Sequence, residues 1–316
     1  MFSLGNLLSQ DGFQVRYTSA YQNKIKRLLD MLYQVYRSKK TTDYVLIDTY
    51  STQNFYYAYL TARLCQLLKL PYVPILHGGN LPNRLVSSPK MAKRLFTNAY
   101  VNVSPSLYLK HRFEAQGFTN VQHIPNAFNL GNYDFKERVL EHINLLWVRS
   151  FSEIYNPLLA VKVLKHLIEK GYSATLCMVG PDSDGSLKQV KQYCQLHQLD
   201  VEFTGKLSKP EWVKLSKDYN VFINTSNFDN TPVSVMEAMA LGLPVVSTNI
   251  GGMSYLIEHG KEGVLVAPNH VEDMTKAVLE LYNNKELVKD IIDNARKKVE
   301  QFDWNVVKLR WFEVLS

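Results

Sequence analysis

The sequence predicts an α/β protein made of two parallel-sheet units, and three observations predict it. A length of 316 residues suits about two domains. Short runs rich in Val, Ile and Tyr alternate with longer stretches of helical periodicity, the pattern of parallel sheets covered by helices. The alternation happens twice, on either side of a polar segment at residues 126–141, NAFNLGNYDFKERVLE, which contains Gly131 and precedes a fresh strand.

In the first half, strands are expected at residues 44–48, 72–76, 100–104 and 121–125, with helices at 54–69 and 106–116 between them. In the second half, strands are expected at 144–148, 174–179, 201–204, 221–224, 244–247 and 263–266. The helices of that half are expected at 156–170, 186–197, 209–218, 233–241, 271–282 and 285–300. The domain reading is therefore residues 1–133, residues 134–301, and a last segment, 302–316, with Trp304 and Trp311. Two doubly wound units facing each other would leave a cleft at the carboxyl ends of their strands, where such sheets bind ligands.

Composition narrows the function classes. The chain is 46% apolar and 21% charged, ordinary for a globular protein that buries a core without disulfides or structural metal. Cys65, Cys177 and Cys194 are scattered, with no CxxC spacing, as in a reduced, cytoplasmic protein. The N-terminus has no basic stretch followed by an apolar run, so it does not read as a secretion signal, and no stretch of about 18 apolar residues is present to span a membrane. Through residue 135 the net charge is +9 and beyond it −2, so the basic character sits in the first half. A basic half suits nucleic acid, an anionic membrane face, a phosphorylated substrate, or solubility alone. No stacking motif accompanies the charge, which excludes the familiar nucleic-acid modules. No HExxH and no Cys/His cluster occurs; the DxD spelling of Asp182-Ser183-Asp184 sits in GPDSDGS, a polar turn, so no metal is expected.

The most informative stretch is residues 224–252, NTSNFDNTPVSVMEAMALGLPVVSTNIGG. A strand ends in a polar loop, and Thr231-Pro232 opens a helix, with Pro232 near the first helical position where its missing N–H costs nothing. The free amides of that turn, with the helix dipole, form a ready anion site. Asp229 lies in the loop and Glu237 eight residues later inside the helix; read without context, they would be a loop cap and a solvated helix carboxylate. Gly242 ends the helix, and Gly251-Gly252 allow close backbone approach to a ligand.

Acidic-x7-acidic followed by AMAxGxPVVxTxxGG resembles the retaining glycosyltransferase family 4 and its relatives, glycosyl transferases group 1, with the GT-B fold. The resemblance implies that Asp229 lies beside the donor sugar and that Glu237 bonds the nucleotide ribose, while Asn230, Thr231, Pro232 and Val233 present loop amides to sugar and diphosphate. The family usually has Glu where this chain has Asp229. In LLWVRSFSEIYNP, residues 145–157, the resemblance gives Arg149 the diphosphate, usually with a Lys about five residues on. Here Ile154 and Tyr155 stand instead. In Thr204-Gly205-Lys206-Leu207, the backbone of Gly205 and Leu207 would hold the nucleotide base.

The resemblance continues in the first half through VSPSLYLKHRFEAQGFTNVQHIPNAF, and His77-Gly78-Gly79-Asn80 follows a strand there. His77 would face the reacting sugar or acceptor, or is simply bonded within a strand-end turn. Family members begin with a buried strand and a Gly-rich loop. Here residues 1–10 read like the following helix and residues 12–15 like the turn into the second strand, so the N-terminal sheet is expected to lack its usual first strand. Residues 24–40 form a basic amphipathic segment, with Ile25, Leu28, Leu29, Leu32 and Tyr36 on one face and Lys24, Lys26, Arg27, Arg37, Lys39 and Lys40 around it. It reads either as a core-facing helix with a solvated rim or as a surface for an anionic membrane, the inner face of the cytoplasmic membrane in this setting. Arg84, Lys90, Lys93 and Arg94 would add a phosphate-friendly rim.

The resemblance thus implies transfer of a sugar from a nucleoside diphosphate donor to a glycan or lipid-linked hydroxyl, with retention and without metal, in cell-surface polysaccharide synthesis. A sugar-nucleotide epimerase and a non-catalytic partner subunit on the same scaffold are the alternatives.

Overall fold

Residues 4–77 and 79–316 are described by the structure, a computed structural model, and they divide into two compact units. The first comprises Met1–Phe128 with Phe302–Ser316, and the second Asn129–Gln301. The division falls inside the polar segment 126–141, so Tyr133 belongs to the second unit.

In chain order the first unit contains α1 (Leu4–Gln10), α2 (Lys24–Ser38), β1 (Val45–Thr49), α3 (Asn54–Leu68), β2 (Tyr72–Leu76), α4 (Leu81–Ser87), α5 (Pro89–Phe96), β3 (Asn102–Ser104), α6 (Leu107–Glu114) and β4 (Val121–His123). Its parallel sheet has the order β1-β2-β3-β4. Among the described residues that order does not reverse. Successive crossovers of one hand put α3 to α6 on one face, joined there by α2, over a core with Phe55, Leu76, Leu95, Phe96 and Phe113. Leu7 and Leu8 of α1 cover the other face together with the last helix of the chain.

No strand follows Gly12: residues 13–20 are irregular, which corrects the turn-into-strand reading of residues 12–15. Phe13 and Val15 instead pack against the cluster formed by α1 and the last helix. Residues 1–3 of the expected N-terminal helix lie outside the described residues, as does Gly78. The polar Ser104-Pro105-Ser106 turn is explained locally, because the Ser106 hydroxyl caps α6 by accepting from Leu109 N at 3.4 Å.

The second unit contains β5 (Ile143–Val148), α7 (Pro157–Glu169), β6 (Ala174–Val179), α8 (Ser186–Leu196), β7 (Glu202–Gly205), α9 (Lys209–Leu215), β8 (Val221–Asn224), α10 (Val233–Ala240), β9 (Val245–Thr248), α11 (Met253–Leu256), β10 (Val264–Val266), α12 (Val271–Asn283) and α13 (Lys285–Glu300). Its sheet runs β10-β9-β8-β5-β6-β7, so it is doubly wound, with the order reversing between β5 and β8. Trp147 and Leu145 of β5 are fully buried in its main core with Leu164, Met178 and Ile223. α14 (Trp304–Leu315) then returns to the first unit, where Trp304, Val307, Trp311 and Val314 lie against Val73, Ile75 and Val103. Lys308 Nζ binds Asp11 at 2.9 Å, and Trp304 Nε1 donates to the same carboxylate, fixing α14 to the turn after α1. Among the described residues no helix is long and apolar enough to cross a membrane.

His123 on β4 is half-buried, and burial, with the Arg310 charge of α14 beside it, pushes its pKa down to about 4. The unfolded chain therefore takes up a proton below about pH 6.5 that the folded histidine refuses until about pH 4. Stability from this group is present above about pH 6.5 and is lost as the pH falls through that window. Urea unfolding at pH 7 and pH 4.5 should show a decline in stability on acidification that is smaller in His123→Gln.

Candidate functional site

The crevice outside the carboxyl ends of β5 and β8, where the strand order reverses, is the place at which a doubly wound sheet can admit a ligand. Arg149 follows β5 directly, its N–H donating to Val179 O at 3.0 Å. The loop of residues 225–232 follows β8 and ends at the N-terminus of α10.

That loop is held from beneath by buried hydroxyls and amides. Trp147 Nε1 donates to Thr225 Oγ1 at 2.9 Å, and the Thr225 hydroxyl donates to Tyr155 O at 2.8 Å. Asn224 Nδ2 donates to Ser247 Oγ at 2.9 Å, Ser226 Oγ to Asn224 Oδ1 at 2.9 Å, and Thr248 Oγ1 to Ser226 O at 2.6 Å. Partners on β5, β8, β9 and the Tyr155 carbonyl thus hold the start of the loop against the sheet.

From above, the loop is held by glycine. A side chain at Gly251 would collide with the Asp229 carbonyl, and one at Gly252 with the Asn230 carbonyl, while Gly252 N donates to Asp229 O at 3.1 Å. Gly251 also has φ +52°, which a residue with Cβ adopts at a cost. The two glycines expected to admit a ligand instead admit the backbone of the acidic loop itself.

Asp229 and Arg149 are paired through Oδ2 and the guanidinium, both largely buried. Asp229 Oδ1 accepts from Asn230 N at 2.9 Å. The Arg149 guanidinium lies 4.4 Å over the Tyr155 ring, so the residue standing where a second cation was expected supports Arg149 by its π face. Burial lowers the pKa of Arg149 from its ordinary value, opposed by Tyr155. Ile154 is exposed, and its carbonyl accepts from Asn227 N at 2.8 Å.

Glu237 is not the solvated helix carboxylate that an isolated reading allows. It is 3% exposed on α10, where Tyr133 OH donates to Oε1 at 2.7 Å and Lys209 forms an ion pair with the same oxygen. Lys209 Nζ also lies 3.3 Å from Tyr133 OH. Burial pushes the Tyr133 phenol up to about 12 and lowers the Lys209 pKa from its ordinary value. Tyr133 and Lys209 were missed in the sequence. Lys209 opens α9, where Ser208 and Glu211 form a capping box, and nothing in the local spelling announces that the first residue of this helix reaches across to α10. Leu207, two residues earlier and half-buried, and Gly205, at the end of β7 with φ +71°, lie on the same loop.

Pro232 is the residue before the first helical one, Val233, rather than the first itself, and no side chain caps α10. Asn230 and Thr231 are half-buried beside it. Among the described residues, three buried side-chain atoms here have no hydrogen-bond partner: Arg149 Nε, Asn230 Oδ1 and Ser234 Oγ. A water or a polar ligand would supply the missing partners.

Thus one unit brings together Arg149, Asp229, Asn230, Thr231, Pro232, Val233 and Glu237. His77 belongs to the other. It follows β2, its Nε2 lies 2.9 Å from Asp48 Oδ1, and its ring stacks on Tyr50 at 5.3 Å. The carboxylates of Asp182 and Asp184 are engaged within their own turn and by the loop after β5. Asp182 accepts from Gly185 N at 2.9 Å, and Asp184 accepts from Ser152 Oγ at 2.7 Å and Glu153 N at 2.9 Å. Among the described residues no three His, Cys, Asp or Glu side chains gather as a metal site requires.

Comparison with known proteins bears on this geometry. Residues 134–298 match the family described as Glycosyl transferases group 1. An uncharacterized glycosyltransferase of Methanocaldococcus jannaschii is 24% identical over 253 residues, 77% of this chain and 67% of that protein. The amylovoran biosynthesis glycosyltransferase AmsK of Erwinia amylovora is 25% identical over 271 residues, 80% of this chain and 66% of that protein. This chain therefore spans only 66% to 67% of the length of these two relatives. Among solved structures, HepE of Anabaena, crystallised in complex with UDP, superposes with a TM-score of 0.79 at 19% identity, covering 98% of this chain and 88% of that one. At that identity the likeness shows the fold, which is GT-B as expected.

If Lys209 stabilises the buried Glu237, its removal leaves a carboxylate with a single phenol partner. Because Lys209 is itself more than a third exposed, Lys209→Met should cost only about 1–2 kcal/mol in urea unfolding, and adding Glu237→Gln should recover part of it. Costs that simply add would show that the two side chains are not coupled.

Proposed function

This chain belongs to the glycosyl transferases group 1 family, and from that premise we propose that it moves a sugar from a nucleoside diphosphate sugar to an acceptor hydroxyl. The observation that carries the reading is the meeting of Arg149 with the acidic loop at the switch point of the second sheet, beside buried polar atoms with no protein partner.

In this reading the uncapped amides at the start of α10 and the Arg149 guanidinium take the diphosphate. Their charge is fixed before the reaction, and it stabilises the negative charge that grows on the leaving phosphate oxygen. Glu237, a carboxylate acceptor on the same helix, takes the ribose hydroxyls, and Tyr133 and Lys209 hold it in the orientation to do so. Asp229, clamped by Arg149 and by the Gly251-Gly252 backbone, takes hydroxyls of the donor sugar. The backbone at Gly205 and Leu207 holds the base. HepE, whose structures include complexes with UDP and with UDP-glucose, supports uridine diphosphate as the first donor nucleotide to try.

The donor is a substrate and no metal is required, because the guanidinium and the helix amides supply the positive potential. Transfer proceeds with retention, the leaving phosphate oxygen taking the acceptor proton. In the first unit, His77, its Nε2 2.9 Å from Asp48 Oδ1, is the candidate for the acceptor's hydroxyl. The acceptor is a glycan or a lipid-linked sugar in cell-surface polysaccharide synthesis, a reading supported by the amylovoran biosynthesis relative.

Thermal unfolding with a panel of nucleoside diphosphates, no metal added, tests the donor site. A ligand at a hundred times its dissociation constant should add about 2.7 kcal/mol. One nucleotide should raise the midpoint, and Arg149→Ala should abolish the rise. No shift with any nucleotide, in a folded sample, would overturn the proposal. Release of free epimerised sugar nucleotide without acceptor would favour the epimerase on the same scaffold.

A further inference from the structure

Among the described residues, helix α2 leaves an apolar stripe uncovered. The helix packs on α3 through Val35, and Leu28, Met31 and Leu32 lie partly buried beside it. The residues pointing away are Ile25, Leu29, Tyr33 and Tyr36, which are 71%, 61%, 57% and 53% exposed. Their spacing puts them within an arc of about 80° at 3.6 residues per turn. Leu28 and Leu32, assigned in the sequence to the same face as Ile25 and Leu29, in fact turn toward the core, so the helix carries two apolar faces, one of them unpartnered.

The surroundings of that stripe are basic. Lys26 and Arg37 are exposed and lie about 20–40° beyond its edge. Lys40 is exposed just past the helix end, and Lys39 Nζ sits 4.2 Å over the Tyr36 ring. Asp30 is the one acid on the helix, half-buried and accepting from Gln34 Nε2 at 3.2 Å. The charge extends over the whole first unit, which holds 17 Lys+Arg against 7 Asp+Glu, while the second unit holds 19 against 22.

The geometry points to α2 as a docking surface for an anionic lipid bilayer. Ile25, Leu29, Tyr33 and Tyr36 enter the headgroup boundary, and Lys26, Arg37 and Lys40 meet acidic headgroups. An apolar stripe flanked by cations is what an interfacial helix requires, since acyl-boundary burial and headgroup attraction act on opposite edges of one face. Tyrosine suits the depth, having an apolar ring and a polar tip. A second copy of the chain is disfavoured as the occupant, because two-fold pairing of the stripe would bring Lys26 and Arg37 near their own copies. This inference is independent of the donor chemistry proposed above.

The test uses the full chain and vesicles of phosphatidylcholine alone or in equal parts with phosphatidylglycerol. The chain should float with the anionic vesicles and not with the neutral ones, and high salt should release it. Lys26→Gln with Arg37→Gln should lower partition about thirtyfold. Ile25→Ser with Leu29→Ser should lower it about tenfold or more. Unchanged thermal midpoints would show that these variants remain folded. A location-specific readout comes from Leu29→Trp, because the four native tryptophans are buried. Its added indole should shift to shorter emission wavelength with anionic vesicles only. Absence of flotation, flotation unchanged in the folded Ile25→Ser, Leu29→Ser variant, or a dimer in solution that this variant dissociates would each overturn the proposal.

Discussion

The pairing of Arg149 with Asp229 fixes the working end of the second unit. Arg149 follows β5 and Asp229 lies in the loop after β8, on either side of the point where strand order reverses. A largely buried guanidinium and carboxylate must be compensated, and here each is the other's counter-charge. The consequences run outward from the pair. Tyr155 lies under the guanidinium, the Gly251-Gly252 backbone closes on the Asp229 carbonyl, and the buried hydroxyls of Thr225, Ser226 and Thr248 hold the loop to the strand ends. The second carboxylate of the motif, Glu237, repeats the arrangement one turn and more into α10, with Lys209 and Tyr133 as partners.

The first unit is organised by a different constraint. Its strands follow one another in a single direction, and α2 to α6 cover one face. The other face is closed by α1 and by α14, the latter arriving from the far end of the sequence. Trp304 and Trp311 are the apolar side chains that make this closure, and Asp11 fixes its register. The first unit is thus completed by residues separated from it by the whole of the second.

What could be read in the sequence followed from local pattern. β2, β6, β8 and α13 fall at the residues expected, because short β-branched runs and a long amphipathic period leave little ambiguity. The acidic pair and Arg149 were legible because residue type and spacing survive in one line of text. What was not legible depends on elements far apart in sequence. Lys209 and Glu237 are 28 positions apart and Tyr133 a further 76 away from Lys209, yet the three side chains converge. Gly251 and Gly252 announced close approach but not what approaches. The outward stripe of α2 was merged with its core face because Leu28 and Leu29 are adjacent in sequence and about 100° apart on the helix. The irregular course of residues 13–20 was misread because Phe13 and Val15, spaced as in a strand, are buried by α14 instead of by sheet partners.

The most direct measurement is a crystal structure of the chain soaked with uridine diphosphate. The account predicts the diphosphate within hydrogen-bonding distance of Arg149 and the first amides of α10, with a ribose hydroxyl on Glu237. Nucleotide bound elsewhere, with Glu237 still contacted only by Lys209 and Tyr133, would contradict it.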